Sequence, residues 1–189
     1  MKLVFATNNP NKLSEIQSLV PDGIEILSLK EINCNEELPE TNPTLEGNAL
    51  QKANYVFDNY GFNCFADDTG LEIDALGGDP GVYSARYAGE DCSAEANMNL
   101  VLEKLEGINN RTAKFRTVIA LIIDGKEILF EGECLGKITT SKSGVEGFGY
   151  DPIFTPKGYD TTFAEITKNE KGQISHRGKS VKKLVGFLK

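Results

Sequence analysis

The sequence predicts an α/β fold: a mixed β-sheet with flanking helices, arranged as two lobes enclosing a central cleft. Three observations lead there. Apolar runs of strand length alternate with helical patterns through the first half of the chain. The β-rich stretch 112–138 is broken only by Asp124-Gly125, a strong hairpin signal, so an antiparallel pair joins the βα units. Finally, 189 residues with 40% hydrophobic content can build a real core, as one domain over 1–189 of two closely packed lobes without a linker.

The elements follow in order. Leu3–Ala6 is a buried strand. A polar turn, 7–11, leads to a helix from Lys12 to about Val20, with Asn11 as cap and Leu13, Ile16, Leu19 and Val20 on one stripe. Ile24–Leu29 is a second strand. Thr44 caps a longer helix to about Asn59, with Leu45, Ala49, Ala53, Val56 and Phe57 on or near one face. Asn63–Ala66 and Leu71–Ala75 read as short strands on either side of an acidic turn, Asp67-Asp68-Thr69-Gly70. Gly77–Gly81 is a loop, and Ser93 caps a helix through about Leu105. Thr112–Ile123 and Glu127–Ile138 form the hairpin. Lys142–Tyr150 is a glycine-rich loop, and a helix from about Ser180 to Leu188 turns Val181, Leu184, Val185 and Leu188 inward.

Composition narrows the function. The net charge of −8 and pI near 4.8 argue against non-specific binding to duplex nucleic acid, which needs a basic face, so no nucleic-acid partner is expected. A small polyphosphate stays compatible, because lysines and a metal can reverse the field locally. No apolar run approaches the roughly 20 residues that span a bilayer, so no membrane partner is expected either. Met1–Ala6 lacks the apolar region of a signal peptide. Cys34, Cys64, Cys92 and Cys134 are widely spaced, with no CxxC pair, and read as free cytosolic thiols. The expected compartment is the cytoplasm.

Five groups of residues could carry chemistry. In Thr7-Asn8-Asn9-Pro10-Asn11-Lys12 a strand delivers a turn to a helix N-terminus, where exposed N–H groups and Lys12 favour an anion. The Walker pattern GxxxxGK[ST] is absent. Asn48 and Lys52 lie four apart on one helix face, with Glu40 upstream. Asp67 and Asp68 could bind a hard cation or activate water, and they point to opposite sides if the strand runs on. Thr69 could bond a phosphate or cap the turn. Gly147-Phe148-Gly149-Tyr150-Asp151 puts glycines beside aromatics, which suits a flat ligand. Lys171, with Ser175-His176-Arg177-Gly178, groups donors able to read a carbonyl oxygen on a base. Singly, each also reads as a solvated turn, a charged helix face or a tight core loop. Together, carboxylates and dispersed cations suggest a magnesium-held polyphosphate.

TNNPNK at 7–12, ETNPTLEGNALQKA at 40–53, ADDTGLEIDALGGDPGVYSARYAG at 66–89, EGFGYDPIF at 146–154 and EKGQISHRGKS at 170–180 resemble the inosine triphosphate pyrophosphatase family, in the family's order and over nearly the whole chain. Between 42 and 47 the family often has a Gly and a Phe-x-Glu-Asn pattern, where this chain has Asn42-Pro43 and Leu45-Glu46-Gly47-Asn48. The resemblance implies hydrolysis of non-standard purine nucleoside triphosphates (ITP, dITP, XTP) to the monophosphate and pyrophosphate. It implies a small-molecule nucleotide as partner, a homodimer, and Mg²⁺ as cofactor with Mn²⁺ as a substitute. It also implies roles. Thr7, Asn8, Asn9, Pro10, Asn11 and Lys12 form the triphosphate turn, and Lys52 contacts phosphate. Asp68 is proton acceptor and metal ligand, and Glu40 is the second ligand. Thr69 contacts substrate, and Phe148, Gly149, Tyr150, Asp151, Lys171, His176 and Arg177 recognise the base. Lys12 and Lys52 then stabilise transition-state charge. Rival classes are an aspartic peptidase, because Asp68-Thr69-Gly70 spells its motif, a non-catalytic nucleotide sensor, and a pyrophosphatase for pyrimidine nucleotides.

Overall fold

A computed structural model describes residues 1–189. The chain forms two compact units: the first is Met1–Asp68, Thr117–Gly132 and Arg177–Lys189, the second Thr69–Arg116 and Glu133–His176. The strands are β1 (Lys2–Phe5), β2 (Glu25–Leu27), β3 (Cys64–Ile73), β4 (Pro80–Gly81), β5 (Thr112–Ile123), β6 (Lys126–Ile138) and β7 (Phe154–Pro156). The helices are α1 (Pro10–Leu19), α2 (Leu45–Tyr60), α3 (Ala94–Lys104), α4 (Lys168–Ile174) and α5 (His176–Leu188). The seven strands form one mixed sheet in the order β2-β1-β3-β5-β6-β7, with β4 on β3. β1 pairs in parallel with β2 and β3, while β4 and β7 pair antiparallel with β3 and β6. The expected mixed-sheet α/β fold is the one observed.

Each unit has its own core. In the first, Leu3 and Phe5 of β1, Phe65 of β3, and Ile119 and Leu121 of β5 pack with Ile16 of α1 and Val181 and Leu184 of α5. The rings of Phe5 and Phe65 stack at 4.7 Å. In the second, Leu71 and Ile73 pack with Val101 and Leu105 of α3, Phe115, Phe154 and Phe163. No helix is long and apolar enough to cross a membrane.

Local signals fixed several elements. Thr44 and Ser93 cap α2 and α3, accepting from the N–H groups of Gly47 and Ala96. Asp124 and Gly125 take φ values of 51° and 76°, as a tight hairpin requires. Other expectations are corrected. The first helix is capped by Asn9, not Asn11: the Asn9 side chain accepts from the N–H groups of Asn11 and Lys12. Pro10 fits the first helical position, where a missing N–H matters least. The second strand is only Glu25–Leu27. Helix α4 was not expected, and α5 begins at His176 rather than Ser180.

The most consequential correction concerns the acidic turn. Residues 67–70 are not a turn but the middle of β3, which runs from Cys64 to Ile73. Gly70 serves close approach: a Cβ there would lie 2.6 Å from the carbonyl oxygen of Gly81, on the paired strand β4. Gly70→Ala is therefore expected to lower stability by about 2 kcal/mol, because the obstacle is backbone on both sides. Thermal unfolding checks it, and an unchanged midpoint would contradict the close approach.

Candidate active site

The chemistry-bearing residues of the first unit gather where α1, α2 and α5 supply cations to β3. On α2, the buried stripe Leu45, Ala49, Ala53 and Val56 includes two polar residues, Asn48 and Lys52. Their burial is explained by their partners. Lys52 Nζ donates to the Asp67 carbonyl oxygen at 2.7 Å, bonds Glu40 Oε1, and lies 4.0 Å from Asp68 Oδ1. Asn48 Nδ2 donates to Asp68 Oδ2 at 3.1 Å.

Because β3 continues through them, the two aspartates have different surroundings. Asp67, whose side chain is fully buried, accepts from Lys12 Nζ at 2.9 Å on Oδ1 and from Arg177 Nε at 3.0 Å on Oδ2. Arg177 also meets Glu15 Oε2 at 2.5 Å. Burial alone would raise the pKa of Asp67, but Lys12, Arg177 and Lys52 outweigh it and hold the carboxyl well below the usual range. Asp68 shows the opposite balance: burial raises its pKa, and Lys52, Lys12 and Asn48 offset that only in part. Two neighbouring carboxylates pushed in opposite directions is the pattern that separates a fixed charge from a proton acceptor.

The lysines separate too. Burial is the largest influence on Lys52, yet Asp68, Glu40 and Asp67 together raise its pKa, so it stays charged. Burial lowers that of Lys12 despite Asp67. Glu40 is pushed up by burial but held lower, on balance, by Lys52.

The predicted triphosphate turn is largely occupied by its own chain. Thr7 Oγ1 accepts from the Asn9 N–H, and Asn9 caps α1. Asn8 Nδ2 donates to the Glu36 carbonyl while its Oδ1 accepts from the Leu38 N–H. Pro10 and Asn11 are exposed, and Lys12 is paired with Asp67.

In the second unit, Lys171 Nζ pairs with Asp151 Oδ2 at 2.7 Å and lies 4.9 Å from the Phe148 ring centre. Asp151 Oδ2 also accepts from the Phe148 N–H at 2.9 Å. Gly149 is half-buried, and Thr69 is half-buried on β3. Two predicted base readers are core residues here. Tyr150 is buried and donates to the Ser84 carbonyl at 2.6 Å. His176 is buried, stacked on Phe115 at 4.5 Å. Arg177, placed in the same set from sequence, faces Asp67 and Glu15 in the first unit.

No group of three or more His, Cys, Asp or Glu side chains is placed to hold a metal ion. Glu40 and Asp68, however, both approach the same Lys52 ammonium. Magnesium commonly takes one or two carboxylates from protein and completes its shell with water and substrate phosphates, so its chemistry does not demand a third protein carboxylate. Sequence reading missed Glu15 and Gln51 as partners in this region; the only available signal was polar residues adjoining a buried helical stripe.

Comparison with known proteins agrees with the motifs. The profile of the Ham1 family matches residues 3–187. A Flavobacterium johnsoniae protein named dITP/XTP pyrophosphatase is 57% identical over 188 residues, covering 100% of this chain and 98% of its own. A Bacillus subtilis protein of the same name is 47% identical over 189 residues, with 98% and 96% covered. The solved structure of the Staphylococcus aureus Ham1 protein superposes with a TM-score of 0.89 at 40% identity, covering 100% of this chain and 98% of that one. On the match of profile, sequence and structure alike, this chain belongs to the Ham1 family.

Proposed function

We propose that this protein is a nucleoside triphosphate pyrophosphohydrolase that converts non-standard purine nucleotides (dITP, XTP and ITP) to the monophosphate and pyrophosphate. The observation that carries this reading is the divergence of Asp67 and Asp68: one is locked between cations, the other raised in pKa beside a charged lysine. The names of the relatives, dITP/XTP pyrophosphatase, support the substrate class.

In the proposed reaction Asp68 accepts a proton from the water that attacks the α-phosphorus. An oxygen–phosphorus bond forms there, the bond to the β-phosphate bridging oxygen breaks, and pyrophosphate leaves. Lys52, charged and preorganised by Glu40 and the Asp67 carbonyl, stabilises the added negative charge. Glu40 and Asp68 are the residues to hold magnesium, which, when bound, offsets charge on the phosphates. Manganese is the proposed substitute. Lys12 contributes positive field while anchoring Asp67. The outer turn, Thr7 to Asn11, presents its backbone to the triphosphate.

Base recognition is assigned to the second unit, with Phe148 and Gly149 as the flat surface and Lys171, fixed by Asp151, as donor to the 6-keto oxygen. Adenine carries a donor at that position, and a mismatch of that kind gives discrimination of about 10⁴. His176 supports this set by stacking, and Arg177 is reassigned to the acidic strand. Four free cysteines suit a reducing cytoplasm, and the assembly proposed is a homodimer, which sedimentation measures. The peptidase reading loses its motif, since Asp68-Thr69-Gly70 lies within a continuous strand and Asp68 meets Asn48 and Lys52 of its own chain.

A substrate panel with magnesium tests the whole. Pyrophosphate is the expected first product, with dITP, XTP and ITP turned over at least about 10²-fold faster than ATP. Orthophosphate as first product, or equal rates for ATP and ITP, overturns it. Tight nucleotide binding without hydrolysis selects the sensor, and preference for pyrimidine nucleotides selects the third rival.

A further inference from the structure

We infer that Gln51 is a positioning residue that fixes Glu40 beside Lys52; the inference rests on the role just proposed for Glu40. Glu40 lies in a segment without regular structure between the 3₁₀ turn ending at Ile32 and α2. Such a segment has no hydrogen-bond ladder of its own, so its backbone groups must find other partners. They find side-chain amides. Gln51, one residue before Lys52 on α2, accepts from the Thr41 N–H at 2.9 Å and donates through Nε2 to Thr41 Oγ1 at 2.9 Å. Gln51 Oε1 also accepts from Asn42 Nδ2 at 2.9 Å. The next N–H, that of Asn42, is taken by Asn48 Oδ1 at 2.9 Å, whose other end donates to Asp68.

Gly47 is what lets this segment lie so close to α2. A Cβ at position 47 would stand 2.7 Å from Asn42 Cβ, inside any permitted contact. Gln51 and Gly47 together therefore register the segment on the helix that carries Lys52. Glu40, immediately before Thr41, inherits that register. A carboxylate displaced by about 1 Å can lose up to about 10²-fold in rate.

The experiment compares Gln51→Ala, Gln51→Glu and Glu40→Gln. Hydrogen exchange is measured on peptides covering 38–43 without nucleotide, together with the Mg²⁺ concentration for half-maximal pyrophosphate release and thermal unfolding. Gln51→Ala is expected to accelerate exchange at Thr41 and Asn42 and to raise the magnesium requirement about tenfold, with the unfolding midpoint within about 4 °C of wild type. Gln51→Glu keeps an acceptor oxygen for the Thr41 N–H and for Asn42 Nδ2, while the Thr41 hydroxyl turns to donate where it accepted from Nε2, and this variant is expected to restore most of both properties. Unchanged exchange in Gln51→Ala overturns the clamp. Faster exchange with an unchanged magnesium requirement, while Glu40→Gln raises it, overturns the positioning of Glu40. If Glu40→Gln itself leaves the requirement unchanged, the metal role of Glu40 falls, and the exchange result still decides whether Gln51 holds the segment.

Discussion

Asp67→Ala is expected to destabilise the protein by about 3–5 kcal/mol, the range found when one member of a buried ion pair is removed. The side chain is fully buried and both its oxygens are engaged, by Lys12 at 2.9 Å and Arg177 at 3.0 Å. Deleting the carboxylate leaves Lys12 and Arg177 facing each other without the charge that both engage. Arg177 keeps Glu15, whereas Lys12 loses its ion-pair partner in that site. For a chain of 189 residues that loss corresponds to a fall in Tm of about 10 °C, readable by circular dichroism.

The pH dependence has a definite sign. The folded pKa of Asp67 lies below its unfolded value. Its stabilisation is therefore fully present above the ordinary carboxylate range and is lost as pH falls through the depressed folded value. The gap in Tm between wild type and Asp67→Ala should hold constant from about pH 6 to 8 and narrow only below about pH 4. A variant within about 0.5 kcal/mol of wild type at neutral pH would show that Asp67 is not the anchor of this cluster.

What could be read from the sequence was local. Thr44 and Ser93 announce α2 and α3 because a cap acts within three residues, and Asp124-Gly125 announces the hairpin because its φ values are intrinsic to those residue types. What could not be read was set at long range. Asp67-Asp68-Thr69-Gly70 has the composition of a turn, and β-propensity argues against a strand there. It is a strand because Lys12 and Arg177 neutralise Asp67 from opposite ends of the chain, and because Gly70 admits β4. Helix α5 was begun too late for a similar reason. Gly178 weakens the local helix signal, while the buried Arg177 and the stacked His176 hold its first turn in place. For the site, motifs named Lys12, Lys52, Asp68 and Glu40, and the structure groups all four in one unit. The resemblance of the motif at 170–180 placed Arg177 beside His176 in the base-reading set; here its guanidinium meets Asp67 and Glu15, and the two consecutive residues enter different units.

Asp68→Asn is expected to lower kcat by about 10²–10⁴-fold, the range for loss of a general base, while leaving the fold almost untouched. The two effects separate for a physical reason. Asparagine fills the same volume, and its oxygen still accepts from Asn48 Nδ2 as Asp68 Oδ2 does at 3.1 Å. The folded pKa of Asp68 is raised, so the folded state disfavours its charge relative to the unfolded chain. Ionised Asp68 therefore contributes no stability at neutral pH, and neutralising it removes none. Lys52 retains Glu40 and the Asp67 carbonyl. Tm is expected within about 3 °C of wild type, in contrast to Asp67→Ala one residue away. The proton-accepting role predicts the wild-type rate profile: kcat/KM should climb with pH as Asp68 ionises, and this limb should vanish in Asp68→Asn. Steady-state pyrophosphate release from dITP across pH, paired with melting curves, measures both. Wild-type turnover in Asp68→Asn would take the proton away from this carboxylate, and a large loss of Tm would make Asp68 a second structural anchor rather than the base.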